Sequence, residues 1–262
     1  MSNTRMNTNS ITSTEAMVVL AVDTTTPRVS FVITRQDRML ALISGDSSVH
    51  HSRTFFDNLA LALRLAGLEI DEIDLFAAVT GPGSFTGLRV GLSAVKGLAE
   101  TTGKPAIGIG KMDLVALSAG IAGEILVLLE AGRSEIFAGI RRLNTDGSLI
   151  QVGDDRVGLP TELIPSIIES RSPDFVLGSG LDHYIEEIEM RVKGCGRQAR
   201  VAISIDRDFN GIQLLMNDRE LGAVMAAHAL RLHRSGQASP LSACYIRQSD
   251  AELNARPTIT HK

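Results

Sequence analysis

The 262-residue chain has little of several features that mark large classes of proteins. Its two cysteines, Cys195 and Cys244, form no Cys-x-x-Cys pair, which is typical of reduced cytosolic thiols. Its formal net charge of −4 excludes the basic footprint of a protein that binds nucleic acid tightly by itself. No apolar run approaches the roughly eighteen residues of a membrane span. A cytoplasmic protein that does not enter a membrane is expected.

Standard catalytic and nucleotide-binding motifs are missing as well. The chain has neither GxxxxGK[ST] nor a first-strand GxGxxG, and no GxSxG or HExxH. His50 and His51 are adjacent but have no further ligand at a useful spacing, while His228 and His233 are five residues apart and do not share a helix face. The motifs therefore predict neither a metal site nor a catalytic residue.

The most informative segment, residues 81–97, is a Gly-Pro-Gly turn that runs from a predicted strand into a predicted helix. Gly81 and Gly83 permit a tight backbone whose amides can face a ligand. The helix that begins behind Ser84 adds a partial positive charge, so an anion can bind there. This segment is a candidate phosphate loop.

A second candidate phosphate loop, Asp23 with Thr24 and Thr25, follows the first predicted strand. Hydroxyls and amides in such a turn can hold a phosphate or a metal-bound water. Aspartate and threonine in a tight turn also bond to their own backbone. The residues alone leave both interpretations open.

The helix predicted over residues 84–100 is unusually apolar, which indicates cover on more than one side. Either it is a core helix packed on its own sheet, or part of its surface meets a second chain, because small residues allow close approach. One face of this helix is aliphatic and consists of Leu88, Leu92, Val95 and Ala99. The neighbouring face has only small residues, Gly87, Gly91 and Ala94.

Along the whole chain, the pattern predicts two α/β lobes, each opening with strands and closing with helices. The first lobe starts with three strands joined by short turns, an antiparallel run, followed by a helix over residues 52–66. A strong helix over residues 218–234 is predicted to pack back across the lobes. The predicted divisions are a flexible tail at 1–15 with no signal-peptide core, lobes at 16–110 and 111–217, the packing helix at 218–236 and a loose tail at 237–262.

Four segments of the chain are distinctive when taken together: AVDTTT at 21–26, HSRTFFDNL at 51–59, VTGPGSFTGLRVGLSAVKGLA at 79–99 and CYIRQSDAE at 244–252. In this order they resemble the TsaB (YeaZ) family. The resemblance spans residues 17–252. It implies an α/β fold of the actin/Hsp70/sugar-kinase-like (ASKHA) type, with two lobes that each hold a mixed sheet flanked by helices.

By resemblance, the chain is a non-catalytic subunit for forming threonylcarbamoyladenosine beside the anticodon of tRNAs that read A-starting codons. The catalytic subunit TsaD would pair with it, a TsaE-type ATPase would join them, and tRNA would be bound only through the complex. The same surface would also form a homodimer. No cofactor is required, although a degenerate cleft can hold ATP or ADP weakly.

The partner surface is expected on the helices at 52–66 and 84–100, because a few buried aliphatic side chains can hold an interface. The expected contact residues are Phe56, Leu59, Leu63, Leu88, Gly91, Leu92, Ala94 and Val95.

Two departures from related patterns bear on function. TsaD carries an HxxxH metal motif shortly after the equivalent helix, and Lys111 and Val115 stand at those positions here. The family's Asp-Ala-Arg-x-Gly-Glu between two strands is replaced by residues 130–135, with Gly132 for the arginine and Ser134 for the glycine. The first departure favours a non-catalytic role, and the second removes an arginine.

The alternative function is an ATP-dependent small-molecule kinase or ATPase on the same fold. It would need carboxylates from both lobes, and Glu130 and Glu135 are weak candidates in the second lobe. A protease, suggested by older naming of the wider family, has no zinc or serine constellation to support it.

Overall fold

The computed structural model describes residues 16–46, 51–171, 173–179, 200–202, 218–237, 239–244 and 246. Its strands are β1 Val18–Asp23, β2 Arg28–Arg35, β3 Arg38–Asp46, β4 Leu75–Gly81, β5 Ala106–Gly110, β6 Gly123–Gly132, β7 Glu135–Leu143, β8 Leu149–Gly158, β9 Phe175–Ser179 and β10 Arg200–Ala202. Its α-helices are α1 His51–Ala66, α2 Phe85–Thr102, α3 Lys111–Ser118, α4 Pro160–Ser170 and α5 Asp218–Arg234, with a short 3-10 helix at Ile70–Glu72.

The first sheet has the strand order β3-β2-β1-β4-β5. β1, β2 and β3 are antiparallel, as the short turns predicted, and β4 and β5 run parallel to β1. Along β1, Leu20 packs on the α1 and α2 side while Val19 packs on the α5 side. The central strands are therefore buried on both faces, which explains their continuous apolar sequence.

The second sheet has the order β10-β9-β6-β7-β8, with β6, β7 and β8 antiparallel and β9 and β10 parallel to β6. α4 packs on one face through Leu163 and Ile167, and α3 packs on the other through Met112 and Val115. Two mixed sheets flanked by helices confirm the predicted ASKHA-type fold class.

Local signals set the ends of α2 where the sequence predicted a helix. The Ser84 side chain caps its start by accepting from the Gly87 amide at 3.2 Å. Gly103 ends it in the left-handed region with φ of 68°. The predicted aliphatic face of α2 is buried, so the core-helix alternative holds for that face.

The buried face of α1 includes Leu59 but not Phe56, although both were expected to be partner contacts. Phe55, Leu59 and Ala62 are buried, while Phe56 is 59% exposed. Phe55 reaches the core because its ring meets Phe31 edge-on, with centroids 4.9 Å apart.

Several residues singled out in the sequence lie outside the described residues, namely the tail at 1–15, Cys195, His50 and most of the segment at 244–252. The described helices include none with the length and apolarity to cross a bilayer.

Candidate functional site

The candidate site is built around the turn after β1. The Asp23 carboxylate oxygen Oδ1 accepts hydrogen bonds from the Thr25 amide at 2.9 Å and from the Thr25 hydroxyl at 2.6 Å. This is the self-bonding arrangement that an Asp-x-Thr turn favours. Asp23 and Thr25 are both buried.

The second oxygen of Asp23 pairs with Lys111, the first residue of α3, with 2.5 Å between Oδ2 and Nζ. Both side chains are about nine-tenths buried, at 9% and 10% exposure. Burial by itself raises the pKa of the Asp23 carboxyl, but the Lys111 charge and the hydrogen bonds from Lys111 and Thr25 outweigh it and hold that pKa below its ordinary value. The buried carboxylate is therefore charged, and Lys111 neutralises it.

The turn after β1 interlocks with the Gly-Pro-Gly turn and the start of α2. The Ser84 amide donates to the Thr25 carbonyl oxygen at 2.7 Å, and the Thr24 hydroxyl donates to the Gly87 carbonyl oxygen at 2.7 Å. A Cβ on Gly83 would collide with Thr25. The structure thus brings the two predicted phosphate loops together, and they bind each other through several of the donors that a phosphate would use.

The segment that follows α5 in the chain, residues 239–244, also packs against this region. The Cys244 amide donates to the Thr80 carbonyl oxygen at 2.8 Å, and the Gly108 amide donates to the Ser239 carbonyl oxygen at 2.9 Å. A Cβ on Gly81 would lie 3.1 Å from the Cys244 carbonyl oxygen. Gly81 therefore allows this backbone to approach, in addition to its part in the turn.

The structure revises which predicted partner residues can reach a partner. Leu59, Leu88, Leu92 and Val95 are buried in the core of the first lobe, and Gly91 is buried against the Thr24 side chain, so these five are not surface contacts. Leu63 and Ala94 are half-buried, and Phe56 is exposed. Whether the α1 and α2 surface binds a partner stays a prediction.

A second buried ion cluster was missed from the sequence. Arg141 of β7 is 3% exposed and donates two hydrogen bonds to Asp155 of β8, at 2.7 and 2.8 Å, and a further one to Asp113 of α3. Burial alone lowers the pKa of the Arg141 guanidinium, but Asp155 and Asp113 together raise it. An arginine within a strand of buried residues needs carboxylate partners, and that was the available signal.

The turn between β6 and β7 carries the second departure from the family pattern. Arg133 and Ser134 both have positive φ, 56° and 59°, as a two-residue type I′ hairpin requires. Gly132 pairs with Glu135 across the hairpin, while Glu130 is exposed. No group of three or more histidine, cysteine, aspartate or glutamate side chains suited to a metal occurs within the described part of the chain.

Comparison with known sequences links the chain to tRNA modification proteins. Residues 43–165 match the family model "TsaD: tRNA N6-adenosine threonylcarbamoyltransferase". A tRNA N6-adenosine threonylcarbamoyltransferase of Thermofilum pendens is 27% identical over 205 residues, which are 76% of this chain and 54% of that protein. An uncharacterized protein of Mycobacterium tuberculosis is 33% identical over 122 residues, 45% of this chain and 56% of that protein. The chain spans about half the length of these curated relatives.

Comparison with solved structures agrees on the fold. YeaZ from Pseudomonas aeruginosa superposes with a TM-score of 0.64 at 21% identity, covering 87% of this chain and 99% of that one. A second Pseudomonas aeruginosa structure, described as similar to peptidase YEAZ, gives 0.66 at 20% identity, covering 88% and 100%. These two structures show the fold that the resemblance to the TsaB (YeaZ) family implied, and the TsaD family model matches a little less than half of the chain.

Proposed function

From this family resemblance we propose that the chain takes part in forming threonylcarbamoyladenosine in tRNA, as a non-catalytic subunit that pairs with a TsaD-type catalytic subunit. The single observation that carries the non-catalytic role is the buried pair of Asp23 and Lys111, with 2.5 Å between the charged atoms. Related sequences and a shared fold support a part in threonylcarbamoyladenosine formation, and the Asp23–Lys111 pair supports the non-catalytic role of this chain.

Lys111 and Val115 stand where the resemblance places the two metal-binding histidines of TsaD. A lysine ammonium that donates to Asp23 has no lone pair for a metal, and Val115, 2% exposed in the second-lobe core, has no donor atom. An ammonium beside Asp23 supplies the positive charge that a bound cation would otherwise bring. The chain is therefore suited to hold this region in a fixed shape without a metal.

The proposed partner surface is the exposed side of α1 and α2. Phe56 is held from below by Phe55, with ring centroids 5.3 Å apart, and Phe55 packs in turn on Phe31. An exposed aromatic ring on a rigid support resembles the anchors that dominate binding energy at interfaces. Arg89 lies 3.8 Å above the Phe85 ring at the start of α2 and adds a polar rim to the surface.

The remaining parts of the proposal follow the family pattern. A TsaE-type ATPase would join the pair, a homodimer would use the same surface, and tRNA would be bound only through the complex in the cytoplasm. The net charge of −4 supports the indirect route to tRNA. The chain would need no cofactor of its own. Any binding of ATP or ADP by this chain would be weak.

The decisive experiment is reconstitution of tRNA modification with TsaD, TsaE and the enzyme that makes threonylcarbamoyl-AMP held constant. We expect modified adenosine, measured by mass spectrometry of digested tRNA, only when this chain is added. Equal modification without the chain would contradict the proposal. ATP turnover by the isolated chain that is lost in Asp23→Ala would instead support the kinase or ATPase alternative.

A further inference from the structure

α3 is shared by the cores of both lobes. Leu114 packs with the first-lobe cluster between the sheet and α5, whereas Met112 and Val115 pack with the second-lobe cluster. All three side chains are at most 2% exposed. Because protein cores are close-packed, a shift of α3 relative to either lobe disturbs apolar contacts in both.

The first turn of α3 also carries two opposite charges with partners in different lobes. Lys111 pairs with Asp23 at the end of β1, and Asp113 accepts a hydrogen bond from Arg141 of β7. Arg141 is fixed in turn by its two bonds to Asp155. Charge-assisted and bidentate bonds of this kind define geometry as well as adding stability.

On the first-lobe side, the contacts continue from Asp23 to α2. The Asp23 carboxylate orients Thr25, whose carbonyl oxygen accepts from the Ser84 amide at 2.7 Å. The neighbouring Thr24 hydroxyl holds the Gly87 carbonyl oxygen at 2.7 Å. The steps from Arg141 to α2 are therefore hydrogen bonds, ion pairs and short stretches of backbone, including the first turn of α3 between Asp113 and Lys111.

We propose that α3 couples the second lobe to α2, with Asp113 and Lys111 as positioning residues that set where the start of α2 lies. The second lobe thereby adjusts the partner surface on α1 and α2 without touching the partner. The coupling within the chain stands on the contacts above, and its effect on partner affinity rests on the proposed function.

Two matched substitutions test the coupling, Asp113→Asn and Asp155→Asn. Each removes one negative charge from the same arginine and keeps the shape of the side chain, but of the two carboxylates only Asp113 lies on α3. In the full chain without a partner, hydrogen exchange followed by mass spectrometry reports on residues 83–91. We expect Asp113→Asn to speed exchange there by about fivefold, at the low end of typical coupling factors, and Asp155→Asn to leave it within about twofold.

Exchange at residues 83–91 that is unchanged in Asp113→Asn, or that rises equally in both variants, overturns the proposal. If Asp113→Asn does not fold, Asp113→Ser is measured against Asp155→Ser with the same expectations. The side chain of Asp113 is 33% exposed, against 12% for Asp155, so Asp113 is the easier of the two to replace.

Binding to the TsaD-type subunit, measured by titration calorimetry, separates the two levels of the proposal. We expect Asp113→Asn to weaken pairing by about fivefold and Asp155→Asn to leave it unchanged. A wild-type chain that pairs with no TsaD-type subunit contradicts the proposed function, while the exchange result still decides the coupling. Normal pairing by Asp113→Asn together with faster exchange overturns the link between coupling and affinity.

Discussion

The Thr24 hydroxyl donates to the Gly87 carbonyl oxygen at 2.7 Å, and this approach brings the Thr24 carbonyl oxygen to where a Cβ of Gly87 would lie. The glycines of α2 that give it a smooth face thus accommodate a turn of the same chain. A pattern that resembles a helix–helix contact in the sequence is an intramolecular contact in the fold.

Gly87→Ala is expected to destabilise the protein, because the added methyl group would collide with the backbone of Thr24. We expect a loss of about 1–3 kcal/mol in the free energy of unfolding, measured by urea denaturation. Gly97→Ala is the control on the same helix, since nothing lies within 4 Å of its Cβ position. That change should add up to about 1 kcal/mol through helix propensity. Similar effects at both positions would refute the steric explanation.

Lys111→Met should destabilise the fold by about 3–5 kcal/mol, because it leaves the Asp23 carboxylate buried and unpaired. Lys104→Met provides the matched control. Lys104 pairs with Asp74 at 3.4 Å, but these two side chains are 34% and 39% exposed, so water screens the pair. Its loss should cost less than about 1 kcal/mol. Thermal or urea unfolding distinguishes the two variants, and equal losses would argue against a special role for Lys111.

The same substitution should reverse the pH dependence that Asp23 contributes. In the wild type, Lys111 and Thr25 hold the Asp23 pKa below 3.8, so the stabilisation is present above that pH and is lost as pH falls through the lowered pKa. Without the ammonium, burial dominates and raises the pKa. The loss of unfolding free energy in Lys111→Met, relative to wild type, should then become smaller as the pH is lowered from about 7 to about 5. A difference that stays constant over this range would contradict the assignment.

His228 of α5 should make the protein less stable in mild acid. Burial lowers its pKa from 6.5, with Asp113 opposing and Arg231 adding to the shift, so the unfolded chain takes up the proton first. Stability is therefore lost as pH falls below 6.5, at a slope of at most about 1.4 kcal/mol per pH unit. His228→Gln should remove this slope, whereas His233→Gln on the same helix should keep it. Urea unfolding between about pH 5 and about pH 7 provides the measurement.

Phe56→Ser should weaken pairing with a TsaD-type subunit while leaving the fold intact. Phe56 is 59% exposed, and a hot-spot aromatic contributes about 2 kcal/mol, or roughly 30-fold in Kd. Leu65→Ser is the control, because Leu65 is 58% exposed on the opposite side of the same helix. Titration calorimetry should separate the two, and weaker pairing in Leu65→Ser alone would move the surface to the other side of α1.

Strong local patterns predicted several elements. The antiparallel start, α1, α2 and α5 all carry clear periodicity or turn residues. β8 was not predicted, because Leu149–Gly158 contains two glycines and two adjacent aspartates, residue types that are depleted in strands. Pairing with β7 makes it a strand. The sequence did not show which face of α1 is buried, because Phe55 and Phe56 are equally apolar neighbours and only the sheet selects which one is buried.

By itself, the sequence determined the two candidate phosphate loops and the apolar face of α2, since each depends on residues close together along the chain. The fold class was implied by the resemblance that four of its segments carry. Only the tertiary structure decided what the loops bind. Lys111 lies 88 residues from Asp23, and Asp113 and Arg141 are 28 apart, so no local pattern relates them. Charged side chains are paired because burial leaves them no water, and burial is a property of the assembled lobes.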